Sequence, residues 1–133
     1  MKISAITVFP LTSERPELKV GKPIHPSWWG YDQALVRVDT DEGVYGIGEA
    51  EAFLGVADAI AHIRDRLIGS DPMNIRAAVT EGLYGGKPPH EPSMPPTATQ
   101  IPGAWGMSGV EMALCDLAGK ALGTPAYNLF GGR

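Results

Sequence analysis

The chain has 133 residues, 44% hydrophobic and 20% charged, with 11 basic against 15 acidic side chains and a formal charge of −4. That is the composition of a single globular domain with a real core, and its dispersed mild acidity offers no electrostatic footprint for DNA or RNA. No apolar run reaches the length of a membrane span, and the lone Cys115 excludes an internal disulfide.

The opening Met-Lys-Ile-Ser runs straight into alternating residues, without the apolar stretch and cleavage site of a secretory signal, so the cytoplasm is the expected compartment. Residues 2–9 alternate, with Ile6 and Val8 among β-branched neighbours, and Pro10 is expected to close this strand. From Leu11 to Tyr31 there is no usable period and prolines stand at 16, 23 and 26. A long loop is predicted there, ending in the aromatic cluster Trp28, Trp29 and Tyr31. A loop of that length is commonly functional, although the two tryptophans could equally cover a core edge.

Ala34, Val36, Val38 and Thr40 alternate with Leu35, Arg37 and Asp39, which predicts a strand with one buried face. Asp41-Glu42-Gly43 reads as a hairpin turn with glycine where φ must be positive, and residues 44–49 as the returning strand. Gly46 and Gly48 weaken that strand and point to close approach of another backbone or of a ligand.

Val56, Ile60, Ile63 and Leu67 recur at i, i+4, i+7 and i+11, predicting a helix over residues 55–68 that stops near Gly69. Asp71 before Pro72 reads as the cap of a second helix, with Ile75, Val79 and Leu83 on its buried side and Gly85-Gly86 at its end. Residues 87–102 hold six prolines and predict an extended connection without regular structure. Ser108 followed by Glu111 has the spacing of a capping box, so the last long helix is expected to start there. Val110, Leu114, Leu117 and Ala121 form its apolar stripe, Asp116 and Lys120 are placed to pair at i, i+4, and Cys115 is expected as a buried, inert thiol. Gly123 and Pro125 end the helix, and residues 126–130 form one short further turn stopped by Gly131.

Strands first and helices afterwards predict an α+β domain over residues 1–133, a three-stranded antiparallel meander beside a small helical bundle. Several potential sites are better read as structure. Glu49 and Glu51 share a strand face but are two carboxylates without further ligands. His25, His62 and His90 lack zinc-ligand spacing. No catalytic or metal-binding residue is assigned.

The run GVEMALCDLAGKALGTPAYNLFGG, together with the opening strand, the Gly-Ile-Gly-Glu of the hairpin and Ile-Gly-Ser-Asp-Pro, resembles the N-terminal capping domain of the mandelate racemase and muconate lactonizing branch of the enolase superfamily. Cys115 stands where many members carry tryptophan. Leu-Phe-Gly-Gly-Arg is most similar to the acid-sugar dehydratases. The resemblance implies a following barrel domain that holds Mg²⁺ and the catalytic base, which would need roughly 200 further residues; none of its ligands matches a position here, so this chain alone is expected to be inactive. It also implies two substrate-covering loops, residues 19–31 and 51–56, with His25, Trp28, Trp29, Tyr31, Glu51 and Phe53 as the candidate contacts to a small sugar acid. The expected partners are the barrel domain and further copies of the chain. Alternatives within the resemblance are a racemase or a cycloisomerase, and outside it a free-standing binding module built on the same fold.

Overall fold

A computed structural model describes the backbone of residues 1–14, 30–51, 55–84 and 100–132. Three strands, β1 (Ile3–Glu14), β2 (Gly30–Thr40) and β3 (Tyr45–Glu51), form one antiparallel sheet in the order β1-β2-β3. Among the described residues three helices follow, α1 (Val56–Leu67), α2 (Ile75–Tyr84) and α3 (Gln100–Ala121), with a terminal 3-10 turn at Ala126–Phe130. The α+β meander and helical bundle predicted from the sequence are both present. None of the helices is long and apolar enough to cross a membrane among the described residues.

The alternation of β2 places Ala34, Val36, Val38 and Thr40 on the inner face, all buried, where they meet Ile3 and Ile6 of β1 and Ala50 of β3. Gly43 takes φ +81° in the hairpin turn, as its position requires. The turn also holds the chain start: Asp41 Oδ1 accepts from Lys2 N at 2.6 Å and the Met1 ammonium pairs with Glu42.

β1 does not stop at Pro10. It continues to Glu14 with Pro10 opposite Ala34, because β1 is an edge strand and an edge tolerates a residue that lacks an N–H. Leu11–Glu14 and Gly30–Tyr31 therefore belong to the sheet, which shortens the predicted loop to residues 15–29, outside the described residues.

α1 buries Val56, Ile60, Ile63 and Leu67, the four residues of its predicted stripe, and Gly69 turns the chain at φ +80°. The second helix starts later than expected. Asp71 Oδ1 accepts from Met73 N at 2.9 Å and closes a tight turn around the buried Pro72, while Asn74 Oδ1 reaches Ala77 N at 3.3 Å and caps α2. Two side chains of the same capping chemistry stand three residues apart, and the turn takes the first. Ala78 is buried on α2, with Ile75, Val79 and Leu83 half-buried beside it.

The last helix also corrects the sequence reading. It begins at Gln100, eight residues before Ser108, so Ser108 is an exposed interior position and not a cap. Its spacing from Glu111 is simply that of two neighbours on the solvent face of a helix. Pro102 is accommodated because it lies in the first turn, where no intrahelical donor is required; what is left of the predicted extended connection, residues 85–99, lies outside the described residues. Along the core side, Met107, Val110, Ala113, Leu114, Leu117 and Ala118 are buried, whereas Ala121, the final helical residue, is exposed.

α3 lies against β3 at backbone distance. A Cβ added to Gly46 would collide with the Ala113 carbonyl and stand 2.6 Å from Leu117 N; one added to Gly48 would collide with the Gly109 carbonyl and stand 2.7 Å from Ala113 N. The two strand glycines thus serve approach of another backbone, one of the two uses their sequence suggested. Two side chains of α3 then reach the free edge of β3. Asp116 Oδ2 accepts from Ile47 N at 2.8 Å and from Lys120 Nζ at 2.7 Å, and Lys120 Nζ donates to Tyr45 O at 3.2 Å. The Tyr45 ring lies between two cations, Lys120 at 4.5 Å and Arg37 at 4.2 Å from its centroid, with Arg37 in turn bonded to Asp39. The predicted Asp116–Lys120 pair is therefore one part of a fastening that occupies main-chain groups of an edge strand. Asp116→Ala should cost about 1 kcal/mol, since the contacts are half-exposed, and should speed hydrogen exchange at the Ile47 amide at least tenfold. An unchanged Ile47 exchange rate would show that the carboxylate does not hold this edge.

The chain leaves α3 through Gly123 at φ +65° and doubles back. A Cβ on Gly119 would stand 2.9 Å from Thr124 O and 3.1 Å from Ala126 N, so a side chain there would push the tail away. Gly131 ends the terminal turn at φ +78°.

Candidate functional site

The register of the sheet brings together what the sequence separates. Glu14, the last residue of β1, is paired with Gly30, the first of β2, and Glu51, the last of β3, is paired with Gln33. The 15–29 connection and the 52–54 step therefore both leave from one end of the sheet, as a pair of neighbouring loops requires. Tyr31 sits at that end, paired with Ser13; its side chain, and all of His25, Trp28, Trp29 and Phe53, lie outside the described residues. Glu51 is described and exposed.

Two carboxylates stand on the outer face at this end, and they differ. With its amide oriented to satisfy its neighbours, Gln33 donates to Glu49 Oε1 at 3.0 Å and to Ala50 O at 3.2 Å. Glu49 is thus held by a cross-strand neighbour. Glu51 has no hydrogen-bond or ion-pair partner among the described residues, so its acceptor sites are open to a ligand. Gln33 is a residue the sequence reading missed; only the pairing of β2 with β3 reveals what it touches.

No three His, Cys, Asp or Glu residues are grouped to hold a metal ion among the described residues. The described part of the chain does not fit a divalent metal site.

A second feature lies on the outer side of α3. An open groove of about 300 Å³ runs between that helix and the terminal turn, lined by Ser108, Glu111, Met112, Cys115, Asp116, Ala126 and Phe130. Cys115 is half-buried in its wall and not enclosed in the core as expected, because it faces the groove and not the sheet. Burial in this apolar wall, with a smaller effect from Glu111, pushes its thiol above the ordinary range, which matches the inert thiol predicted from sequence.

Comparison with known proteins agrees with this architecture. Residues 15–131 match the family described as "Mandelate racemase / muconate lactonizing enzyme, N-terminal domain". The chain is 31% identical to cis-3-hydroxy-L-proline dehydratase of Roseibium aggregatum, covering 99% of this chain and 35% of that protein. It is 31% identical to D-galactonate dehydratase of Pectobacterium atrosepticum, covering 99% of this chain and 28% of that one. Among solved structures, an enolase-superfamily member from Polaromonas sp. JS666 aligns with a TM-score of 0.76 at 28% identity, over 100% of this chain and 34% of its own length. The chain thus spans about a third of these relatives.

Proposed function

We propose a substrate-covering role for this chain, which belongs to the mandelate racemase / muconate lactonizing enzyme N-terminal domain family. In this reading residues 1–133 are the capping domain of a cytoplasmic, Mg²⁺-dependent acid-sugar dehydratase and work only with a barrel domain. The observation that carries it is the common origin of the 15–29 and 52–54 stretches at one end of the sheet, with the uncommitted carboxylate of Glu51 at the root of the second. Two curated relatives that align over 99% of the chain are named as dehydratases of a hydroxy acid or a sugar acid, which supports that reaction class.

The roles follow from side-chain chemistry. Glu51 accepts hydrogen bonds from substrate hydroxyls, His25 donates or accepts near neutral pH, and Trp28, Trp29, Tyr31 and Phe53 supply apolar walls that exclude water, the tyrosine and tryptophans also offering a polar edge. Excluding water strengthens the polar contacts inside the closed site. No step is assigned to a metal on this chain, whose described residues lack a ligand set; Mg²⁺ belongs with the barrel domain.

The test is a chimera in which residues 1–133 replace the matching N-terminal region of the Pectobacterium atrosepticum D-galactonate dehydratase. The chimera should release the dehydrated 2-oxo acid from at least one sugar acid, while the 133-residue chain alone should give no turnover with Mg²⁺ present. Turnover by the chain alone, or a folded chimera inactive on every acid tried, would overturn the proposal.

A further inference from the structure

Gln33 stands directly opposite Glu51 in the register of β2 and β3, and Glu49 lies one pair further along, opposite Leu35. The glutamine passes over the carboxylate that faces it. Its amide nitrogen carries two N–H donors, and these go to Glu49 Oε1 at 3.0 Å and to the Ala50 carbonyl at 3.2 Å. Both donors are thereby taken, and neither reaches Glu51. The second contact matters as much as the first, because the Ala50 carbonyl belongs to the planar peptide unit that joins Ala50 to Glu51 and sets the direction in which Glu51 leaves the strand. Ala50 is itself buried, so core packing and Gln33 together hold that peptide.

Glu49 and Glu51 project from the same exposed face of β3. Neither is ion-paired among the described residues, where Arg37 is bonded to Asp39 and Lys120 to Asp116. Two such carboxylates repel each other, and both accept from the same kind of donor, so without Gln33 either one is free to meet a substrate hydroxyl. We infer that Gln33 is a positioning residue for substrate choice: by holding Glu49 and the Ala50 carbonyl, it leaves Glu51 as the one carboxylate of this face presented in a fixed direction to the hydroxyls of a polyhydroxy acid. The inference rests on the substrate-covering role proposed above. It assigns discrimination between acids to a pair, Gln33 with Glu51, in which the glutamine touches no substrate. An acceptor already fixed in place favours the one hydroxyl arrangement that fits it, whereas one that every substrate must first order separates such arrangements less sharply.

Gln33→Met keeps the length of the side chain and removes both donors, while Gln33→Glu keeps its shape and adds a third like charge. Each is made in the chimera, alone and combined with Glu51→Ala, and kcat and KM are measured for the two sugar acids that the chimera ranks first and second. Gln33→Met should raise KM for the first acid about tenfold with kcat changed by less than about twofold, and should lower the ratio of kcat/KM between the two acids by about tenfold. Gln33→Glu should do at least as much. In the double variant, Gln33→Met should add less than about twofold to the loss that Glu51→Ala gives alone, since a residue that acts through another has no effect once the other is removed. Lost stability lowers the amount of active enzyme for both acids equally and leaves their ratio unmoved. An active chimera whose ratio moves with Glu51→Ala but with neither Gln33 substitution would overturn the positioning role and leave the capping role standing. Additive losses in the double variant would overturn it too, because Gln33 would then act independently of Glu51. A ratio that substitution at neither position moves, in an active chimera, would remove Glu51 from recognition of the acid and this inference with it. A folded parent chimera inactive on every acid would sink the capping role itself, and the role of Gln33 with it.

Discussion

Gly48→Ala should destabilise the chain by about 3 kcal/mol or more, a large part of the roughly 5 to 15 kcal/mol that holds a typical domain together. The added methyl would collide with the Gly109 carbonyl and stand 2.7 Å from Ala113 N and 3.0 Å from Met112 Cβ. Two of these three neighbours are main-chain atoms of a helix whose next layer is the fully buried Val110, Leu114 and Leu117, so neither side moves without opening the core. Gly43 is the matched control. It takes φ +81° but nothing lies within 4 Å of an added Cβ there. Gly43→Asn should therefore cost under about 1 kcal/mol, because asparagine tolerates that conformation. Urea unfolding of the two variants beside the unmodified chain measures the contrast. A Gly48→Ala midpoint close to that of Gly43→Asn would mean that α3 is not seated on β3 as described.

Much of this packing was readable in the sequence because periodic burial is a local signal. The alternation of residues 34–40 and the helical spacing of Val56, Ile60, Ile63 and Leu67 each report which face is buried, without knowledge of the partner. Gly46 and Gly48 announced a close neighbour but not its identity. What failed to show were features whose meaning depends on a partner distant in sequence. Asp116 reads as one half of an i, i+4 ion pair; its second role, accepting from the Ile47 amide 69 residues away, appears only once α3 crosses β3. The start of α3 was misplaced because a capping-box spacing and an exposed helical pair are the same string of residues, and only the upstream packing distinguishes them. In that upstream turn a Cβ on Gly106 would come within 2.9 Å of Ile60. Pro10 was read as a terminator because its neighbour on one side only, β2, cannot be known from a single strand.

The candidate site divides in the same way. Loop composition nominated the aromatic residues and Glu51, and strand register then placed the loop roots together. Glu49 and Glu51 are indistinguishable as a two-residue pattern, yet Gln33 across the ladder holds the first and leaves the second open. For that reason Glu51 and the 15–29 stretch, and not Glu49, carry the expectation about substrate choice.

The central claim is that residues 15–29 and 51–54 of this chain select the acid on which a barrel acts. Binding energy spent on parts of the substrate remote from the reacting carbon changes kcat/KM between competing substrates. If these two stretches cover those remote parts as proposed, losing their contacts should shift the ratio for two acids by about 10- to 100-fold, the range of one or two hydrogen bonds or apolar contacts. The direct measurement is kcat/KM across a panel of sugar acids for the chimera, and for a second chimera whose 15–29 and 51–54 stretches are those of the Pectobacterium atrosepticum enzyme on an otherwise unchanged 1–133 domain. The account predicts that preference follows the two stretches, with D-galactonate regaining first place when they are exchanged. If both chimeras rank the acids identically and are equally active, substrate choice resides outside these loops and the central claim is wrong.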